Sequence, residues 1–178
     1  TFTRKARLLQ AIRRWQSGAE CGSFVRKGIT YYHPNLAVGG EQSGCNFLHP
    51  VIFNYAKFRV NNKKPYETIE EERLFNNLLS SQPMAFNLFC PLRKMLKELP
   101  DTAIKVIKAA LPNHPIYKVT KVDLEFIPGN YMELTGDKSA MDAIIEFVDT
   151  DGRDGFIAIE TKYSENLGSN AAYDIDEN

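Results

Sequence analysis

The chain has 178 residues, which suits one domain and is long enough to bury a core. Lysine plus arginine and aspartate plus glutamate number 22 each, so the formal net charge is zero and a protein coated in basic residues is excluded. A local basic face stays compatible with nucleic-acid binding, whereas no apolar run approaches the roughly 20 residues of a membrane span, so we expect no membrane partner.

The first 65 residues are predicted to form a helical and irregular N-terminal region. Residues 6–16 fit an amphipathic helix in which Arg13 and Arg14 face away from an apolar stripe. The members of that stripe recur at helical spacing: Leu8, Leu9, Ile12 and Trp15. Residues 31–65 are rich in glycine, asparagine and aromatics, so they are predicted to be mostly loop, with one short segment at 51–60.

Helices are predicted from Thr68 onwards. Thr68 followed by Glu71 has capping-box spacing, and the apolar residues behind them supply a buried face. Two further helical segments, 84–89 and 92–99, are bent or broken at Pro91. Asp101 is positioned to cap a last helix over 102–111, which ends before a proline.

Strands are predicted in the second half of the chain. Residues 116–126 alternate apolar and acidic side chains, and 142–148 and 156–163 follow as two more strands. The polar turn between the last two contains Asp151 and Gly152. Helices followed by such a meander predict an α/β sandwich with at least three antiparallel strands.

The last of these strands ends in Glu160-Thr161-Lys162. Side chains alternate across a strand, so Glu160 and Lys162 share one face and lie roughly 6.5 to 7 Å apart along it. That distance lets both groups reach one metal-bound water. Because both faces of the preceding run are apolar, we expect this strand to be central and buried on both sides.

Asp142 is predicted to face Glu160, because both are nine residues from a turn centred near Asp151. Two opposed carboxylates repel unless a hard cation lies between them, and Mg²⁺ favours such oxygen ligands, with Mn²⁺ as a substitute. A slip of one residue would turn Asp142 to the other face. The alternative interpretation is an exposed Glu160–Lys162 ion pair of little energetic value.

Asp142-Ala143, an apolar strand and then Ile157-Ala158-Ile159-Glu160-Thr161-Lys162 resemble the Asp…Glu-x-Lys signature of PD-(D/E)XK nucleases. The strings Asn77-Leu78-Leu79-Ser80-Ser81-Gln82-Pro83-Met84-Ala85-Phe86-Asn87-Leu88-Phe89 and Leu134-Thr135-Gly136-Asp137-Lys138-Ser139-Ala140-Met141-Asp142-Ala143 look like a bacterial subfamily of endonucleases in that superfamily.

The resemblance implies a restriction-endonuclease-like α/β fold, with a mixed sheet flanked by helices in one domain whose core is residues 66–165. It implies Mg²⁺-dependent hydrolysis of DNA phosphodiester bonds. Asp142 and Glu160 would bind the metal, the backbone carbonyl of Thr161 would reach it, and Lys162 would orient or activate the attacking water.

The same resemblance implies an acidic metal ligand on the early helix. Three glutamates are candidates, Glu70, Glu71 and Glu72, and Glu72 is chosen because it lies at the edge of the apolar face. The alternative is a solvated acidic run that the helix dipole favours.

The chain departs from the superfamily at its end, because the superfamily core continues with a helix and a strand after the Glu-x-Lys strand. Only a short tail follows Lys162 here. Either the C-terminal end is cut short or other parts of the chain complete the core.

Three cysteines, Cys21, Cys45 and Cys90, are far apart and lack Cys-x-x-Cys spacing, so neither disulfides nor zinc are expected. Reduced thiols indicate a reducing compartment, and we expect a cytoplasmic protein.

Two basic clusters are candidates for contacts with DNA phosphates or are solvated faces. They comprise Arg4, Lys5, Arg7, Arg13 and Arg14, and then Lys57, Arg59, Lys63 and Lys64. The competing interpretation of the whole chain is a catalytically inactive, nuclease-like module that binds DNA or protein within a larger bacterial protein. The oligomeric state is left open, a homodimer included.

Overall fold

The structure is a computed structural model that describes residues 1–134, 136 and 139–163. Thr135, Asp137 and Lys138 of the string quoted above, and the chain end after residue 163, lie outside the described residues. In chain order the elements are α1 (Phe2–Gln16), β1 (Cys21–Arg26), β2 (Ile29–Ala37), α2 (Gly40–Ser43), α3 (Pro50–Asn61), α4 (Glu71–Phe75), α5 (Ser81–Glu98), α6 (Pro100–Ala110), β3 (Ile116–Phe126), α7 (Tyr131–Leu134), β4 (Met141–Asp149) and β5 (Asp154–Ile159). The α/β fold class is thereby confirmed.

β1 and β2 form an antiparallel hairpin within the first 65 residues, which were predicted to be helical and irregular. Its connection is Lys27-Gly28, with φ of 52° and 76°, and two successive residues of positive φ are what a tight two-residue hairpin turn requires. The loop prediction was therefore wrong for residues 31–37, which belong to β2, whereas the short segment predicted at 51–60 is the helix α3. Most of the hairpin is exposed, so it lacks the alternation of buried apolar residues that marks a strand.

The predicted N-terminal helix is confirmed, but its predicted apolar face was wrong. Leu8, Leu9, Ile12 and Trp15 are 43–75% exposed, and within α1 only Ala6 is buried. The helix packs through polar groups instead: the Arg14 guanidinium donates to the carbonyls of Ala19 at 2.6 Å and Pro34 at 3.0 Å. These bonds tie α1 to the hairpin that follows it.

The central helix α5 runs unbroken through both prolines of the region. Ser80 caps it, accepting from the Gln82 amide at 3.2 Å. Pro83 lies in the first turn, where its missing N–H has no helical partner to lose, and the helix continues past Pro91. The capping box predicted at Thr68 was wrong, because Ile69 is buried in the core and α4 begins only at Glu71.

β3, β4 and β5 form an antiparallel sheet with β4 in the middle, and α5 and α6 pack on it. The three predicted antiparallel strands are confirmed. The prediction that β5 is central and buried on both sides was wrong, because among the described residues β5 pairs with β4 alone and Phe156 is 63% exposed. Only the side with Ile157 and Ile159 packs on the core.

No helix within the described ranges has both the length and the apolar character needed to cross a bilayer.

Candidate active site

The β4–β5 hairpin brings the predicted acidic residues to one end of the sheet. The last pair of the ladder joins Ala143 to Ile159, so Asp142 and Glu160 are the next residues of the two strands at that end. This register corresponds to a turn centred near Asp151, as the sequence indicated.

Thr161 holds the carboxylate of Asp142. The Thr161 amide donates to Asp142 Oδ2 at 2.6 Å, and its hydroxyl lies 2.7 Å from the same oxygen. The hydroxyl also lies 3.4 Å from the Ser81 carbonyl, but it has one proton, which the closer charged acceptor takes. Thr161 is 7% exposed, so these bonds are shielded from water.

Glu160 and Lys162 lie on the outer side of the same strand end. Their side chains are 57% and 39% exposed and form an ion pair with each other. Exposed pairs contribute little to stability, so an incoming ligand can separate the two groups at low cost.

One polar cavity of about 310 Å³ joins these residues to the early helical region. Its lining contains all three members of the predicted Asp…Glu-x-Lys set, two further glutamates and one arginine. The lining residues are Thr68, Glu70, Arg73, Ser81, Gln82, Glu125, Ala140, Asp142, Glu160 and Lys162.

Glu125 is the cavity residue that sequence reasoning missed. Leu124 pairs with Ala143 and Phe126 with Met141, so Glu125 lies opposite Asp142 across β3 and β4. The apolar–acidic alternation of this strand suggested a solvent-facing carboxylate, yet Glu125 is 5% exposed. Its φ of 47° is the cause, because one left-handed residue interrupts the alternation. The only sequence signal is the apolar pair Phe126-Ile127 that follows.

Burial raises the pKa of Glu125 from 4.5 to about 7. A hydrogen bond from Gln82 lowers this pKa, and the negative charge of Asp142 raises it. Gln82 is itself buried, and its Oε1 accepts from the Glu70 amide at 3.3 Å. Gln82 therefore forms hydrogen bonds with both Glu70 and Glu125, which line the same cavity.

Arg59 supports the backbone beside Glu125 from behind. Its side chain is 11% exposed and forms ion pairs with Glu67 at 3.4 Å and Asp123 at 3.2 Å. The guanidinium also donates to the Leu124 carbonyl at 2.6 Å. These contacts hold the end of β3 where Glu125 enters the cavity.

Of the three helix-region acids, Glu70 lines the cavity and Glu72 does not. Glu72 Oε2 accepts from Asn76 Nδ2 at 2.9 Å, and Asn76 Oδ1 accepts from the Gly40 amide at 2.8 Å. Glu72 thus belongs to a chain of hydrogen bonds that ties α4 to α2. Glu71 is exposed.

The donor set of the cavity suits a hard divalent cation, because its candidate ligands are carboxylate oxygens. Among residues 1–134, 136 and 139–163, no three histidine, cysteine, aspartate or glutamate side chains stand close enough to bind one ion together. Mg²⁺ does not need three, since one or two carboxylates with water and substrate phosphate complete its six ligands. Asp142 and Glu160 both line the cavity, so the cavity contains that number of carboxylates on the hairpin alone.

A model of the PD-(D/E)XK nuclease superfamily matches residues 1–177. The chain belongs to the PD-(D/E)XK nuclease superfamily. No curated protein and no solved structure shows significant similarity to it.

Membership of the PD-(D/E)XK superfamily indicates a nuclease, which is a hydrolase whose substrate is nucleic acid, and such nucleases typically use divalent metal ions. The residues that carry the superfamily resemblance in the sequence are Asp142, Glu160 and Lys162. The hairpin brings these three residues to one cavity. The resemblance also includes Thr161, whose amide and hydroxyl contact Asp142 in the structure.

Proposed function

We propose that the chain is a Mg²⁺-dependent endonuclease that hydrolyses phosphodiester bonds of DNA. The observation that carries this proposal is the convergence of Asp142, Glu160 and Lys162 on one polar cavity at the end of a hairpin. Superfamily membership supports the reaction class, and the cavity supports these residues as its site.

The charge of the cavity gives a physical reason for a metal. Four carboxyl groups, those of Glu70, Glu125, Asp142 and Glu160, line it against two cationic side chains. A phosphodiester would be repelled by this excess of negative charge unless a cation compensated for it. Bound Mg²⁺ would neutralise phosphate charge and lower the pKa of a water molecule.

Each residue then has a separate role. Asp142, oriented by Thr161, and Glu160 would hold the ion, with the Thr161 carbonyl as a further oxygen ligand. Glu70 rather than Glu72 would supply the helix-region acid, because the Glu72 carboxylate is occupied by Asn76. Lys162 would leave its pair with Glu160 to hold the attacking water and the charge that develops on the phosphate.

Glu125 would contribute a proton-transfer group to the same cavity. In the metal-free protein its pKa is about 7, so it exists in both protonation states near neutral pH, which suits a group that accepts and returns a proton, and a cation bound beside it would favour the carboxylate form.

Plasmid cleavage tests the proposal. We expect wild-type protein to nick or linearise supercoiled DNA with Mg²⁺ and to stop on addition of EDTA. Lys162→Ala should lower the rate by about 100-fold or more, a loss typical of a group that stabilises transition-state charge. Lys118→Ala is the matched control, because Lys118 is exposed and pairs with Val148 at the other end of the sheet. Equal cleavage by Lys162→Ala and wild type would overturn the assignment.

The competing function is a module that binds DNA or protein without cutting. It is favoured by one observation, the absence of a three-carboxylate ion site in the described part of the chain. Titration with Mn²⁺ separates the two functions. Binding that is lost in Asp142→Asn and Glu160→Gln supports the enzyme, and DNA binding without any metal uptake or cleavage supports the module.

We propose a cytoplasmic location, which is supported by the free thiols of Cys21, Cys45 and Cys90, because free thiols persist in a reducing compartment. Light scattering would decide whether it is a homodimer.

A further inference from the structure

The positive charge of the chain is concentrated at its amino end. Residues 1–40 contain seven of the 22 lysines and arginines and one of the 22 acidic residues, so they carry a net charge of +6 and residues 41–178 carry −6. Five of the seven lie in α1, and the other two, Arg26 and Lys27, lie at the turn between β1 and β2. A neutral protein therefore has one strongly basic unit.

The outer part of that unit is a two-stranded ribbon, residues 23–32, in which every residue is exposed. Isolated hairpins are marginally stable, and one face normally packs on a core. This ribbon leaves both faces open, with apolar and aromatic side chains such as Val25 and Tyr32 at 70% and 75% exposure. Burying those side chains against a partner would be favourable.

The two faces of the ribbon differ in chemistry. Cross-strand pairs share a face, so Phe24, Tyr31 and Arg26 lie together, with the two rings stacked at 5.5 Å between centroids. The opposite face presents three hydroxyls, those of Ser23, Thr30 and Tyr32. Hydroxyls and arginine are donors to base edges and phosphates, and apolar groups contact thymine methyls.

The dimensions of the ribbon match a groove of duplex DNA. Four residues in each strand extend about 13 Å, which exceeds the major-groove depth of about 8.5 Å, and a groove about 12 Å wide admits a two-stranded ribbon. The deep, narrow major groove of duplex RNA excludes it. Arg26 and Lys27 at the tip are long enough to reach the phosphates that border the groove, where the negative charge of DNA lies.

The basic unit is joined to the candidate active site. Gln10 in α1 donates to the Tyr163 hydroxyl at 2.8 Å, and Phe2 contacts the same ring edge-on at 6.3 Å between centroids. Tyr163 directly follows Lys162 in the chain. At the other side, Asn35 of β2 donates to the Arg7 carbonyl at 2.7 Å and accepts from the Leu78 amide at 3.0 Å. DNA seated on the ribbon and α1 would therefore run close to the catalytic lysine.

We propose that the β1–β2 ribbon inserts into the major groove of B-form DNA, with the exposed basic side chains of α1, those of Arg4, Lys5, Arg7 and Arg13, on the flanking phosphates. The choice of DNA rests on the proposed function. The docking surface itself rests on the charge partition, the exposed ribbon and its size.

Binding of a fluorescent 30-base-pair DNA duplex to the full chain, in EDTA so that nothing is cut, tests the inference. The double variant Arg26→Thr/Lys27→Asn removes both charges, and asparagine tolerates the positive φ at position 27. We expect affinity to fall about tenfold or more, and the slope of log K against log salt to decrease by about 2, since each lost phosphate contact accounts for about 0.9. Circular dichroism should be unchanged because neither side chain is buried.

The matched control is Lys105→Thr/Lys108→Asn on α6, which removes the same charge from an exposed surface outside the basic unit. We expect the control to bind like wild type. Three results would overturn the inference: equal losses in both double variants, no loss in the ribbon variant, or tighter binding of anionic phospholipid vesicles than of duplex DNA.

A chain that binds the duplex through the ribbon but cuts nothing contradicts the proposed function and leaves the docking surface intact. A ribbon variant that binds and cleaves DNA as well as the wild type contradicts the docking surface and leaves the proposed function intact.

Discussion

Thr161 directs two groups, its amide nitrogen and its hydroxyl, at one oxygen of Asp142. Thr161→Val keeps the volume and the amide contact but removes the hydroxyl. A hydrogen bond to a charged group contributes about 1.5–3 kcal/mol, so we expect a loss of about 2 kcal/mol in the free energy of unfolding in urea. Plasmid cleavage should also fall about tenfold, because Asp142 is less well oriented.

Thr120→Val, at an exposed site on β3, should change neither quantity. Unchanged cleavage by Thr161→Val would show that the hydroxyl has no role in positioning Asp142.

Glu70 and Glu72 should respond differently to the same substitution. Glu70→Gln removes a carboxylate from the cavity, so we expect a higher Mg²⁺ concentration for half-maximal cleavage and unchanged stability. Glu72→Gln weakens the hydrogen bond with Asn76 and should lower stability by about 1 kcal/mol, with the Mg²⁺ requirement of the wild type. If Glu72→Gln raised the Mg²⁺ requirement and Glu70→Gln lowered the stability instead, Glu72 would be the metal ligand of the helix region.

Because of Glu125, the free energy of unfolding should decrease as the pH rises. Its pKa is about 7 in the folded chain, above the ordinary 4.5, so between these values the folded state keeps a proton that the unfolded state has lost. In metal-free protein the resulting penalty is absent below pH 4.5 and reaches about 3 kcal/mol above pH 7. Glu125→Gln cannot ionise, so it should be more stable than wild type at pH 8 and nearly equal to it at pH 4.

Urea unfolding at the two pH values checks this expectation, with Glu20→Gln as the exposed control. A stability difference between Glu125→Gln and wild type that does not change with pH would contradict it.

Arg59→Met should be strongly destabilising. The substitution leaves Asp123 and Glu67 near the protein interior without their cation and removes the donor to the Leu124 carbonyl. Breaking a largely buried pair in this way costs about 3–5 kcal/mol. Lys97→Met, at an exposed position of α5, provides the comparison in thermal unfolding and should shift the midpoint little. Similar midpoints for the two variants would mean that Arg59 contributes no more than a surface lysine.

The second half of the chain was predictable because its patterns are local. Alternation over 116–126 and the turn at Asp151-Gly152 give β3 and the β4–β5 hairpin, and the count from that turn gives the facing of Asp142 and Glu160. Side-chain alternation has a period of two residues, so one well-defined turn determines the register of both strands.

The remainder depended on contacts that no local pattern encodes. The β1–β2 ribbon is exposed on both faces, so it carries no alternation, and its Lys27-Gly28 turn lacks the asparagine or aspartate that usually marks such a hairpin. Glu125 was missed because a single backbone dihedral redirects its side chain. The hydrogen bond between the Glu70 amide and the Gln82 side chain, which helps to place Glu70 at the cavity, arises from tertiary packing.

The hydrogen bond from Gln10 to Tyr163 has a practical consequence for anyone preparing this protein. Deletion of residues 2–10 would remove the side chains of Phe2 and Gln10, which contact Tyr163, the residue that follows Lys162. A variant that lacks them would lose these contacts as well as three of the basic side chains of α1. Cleavage should therefore be measured with variants that retain the first ten residues.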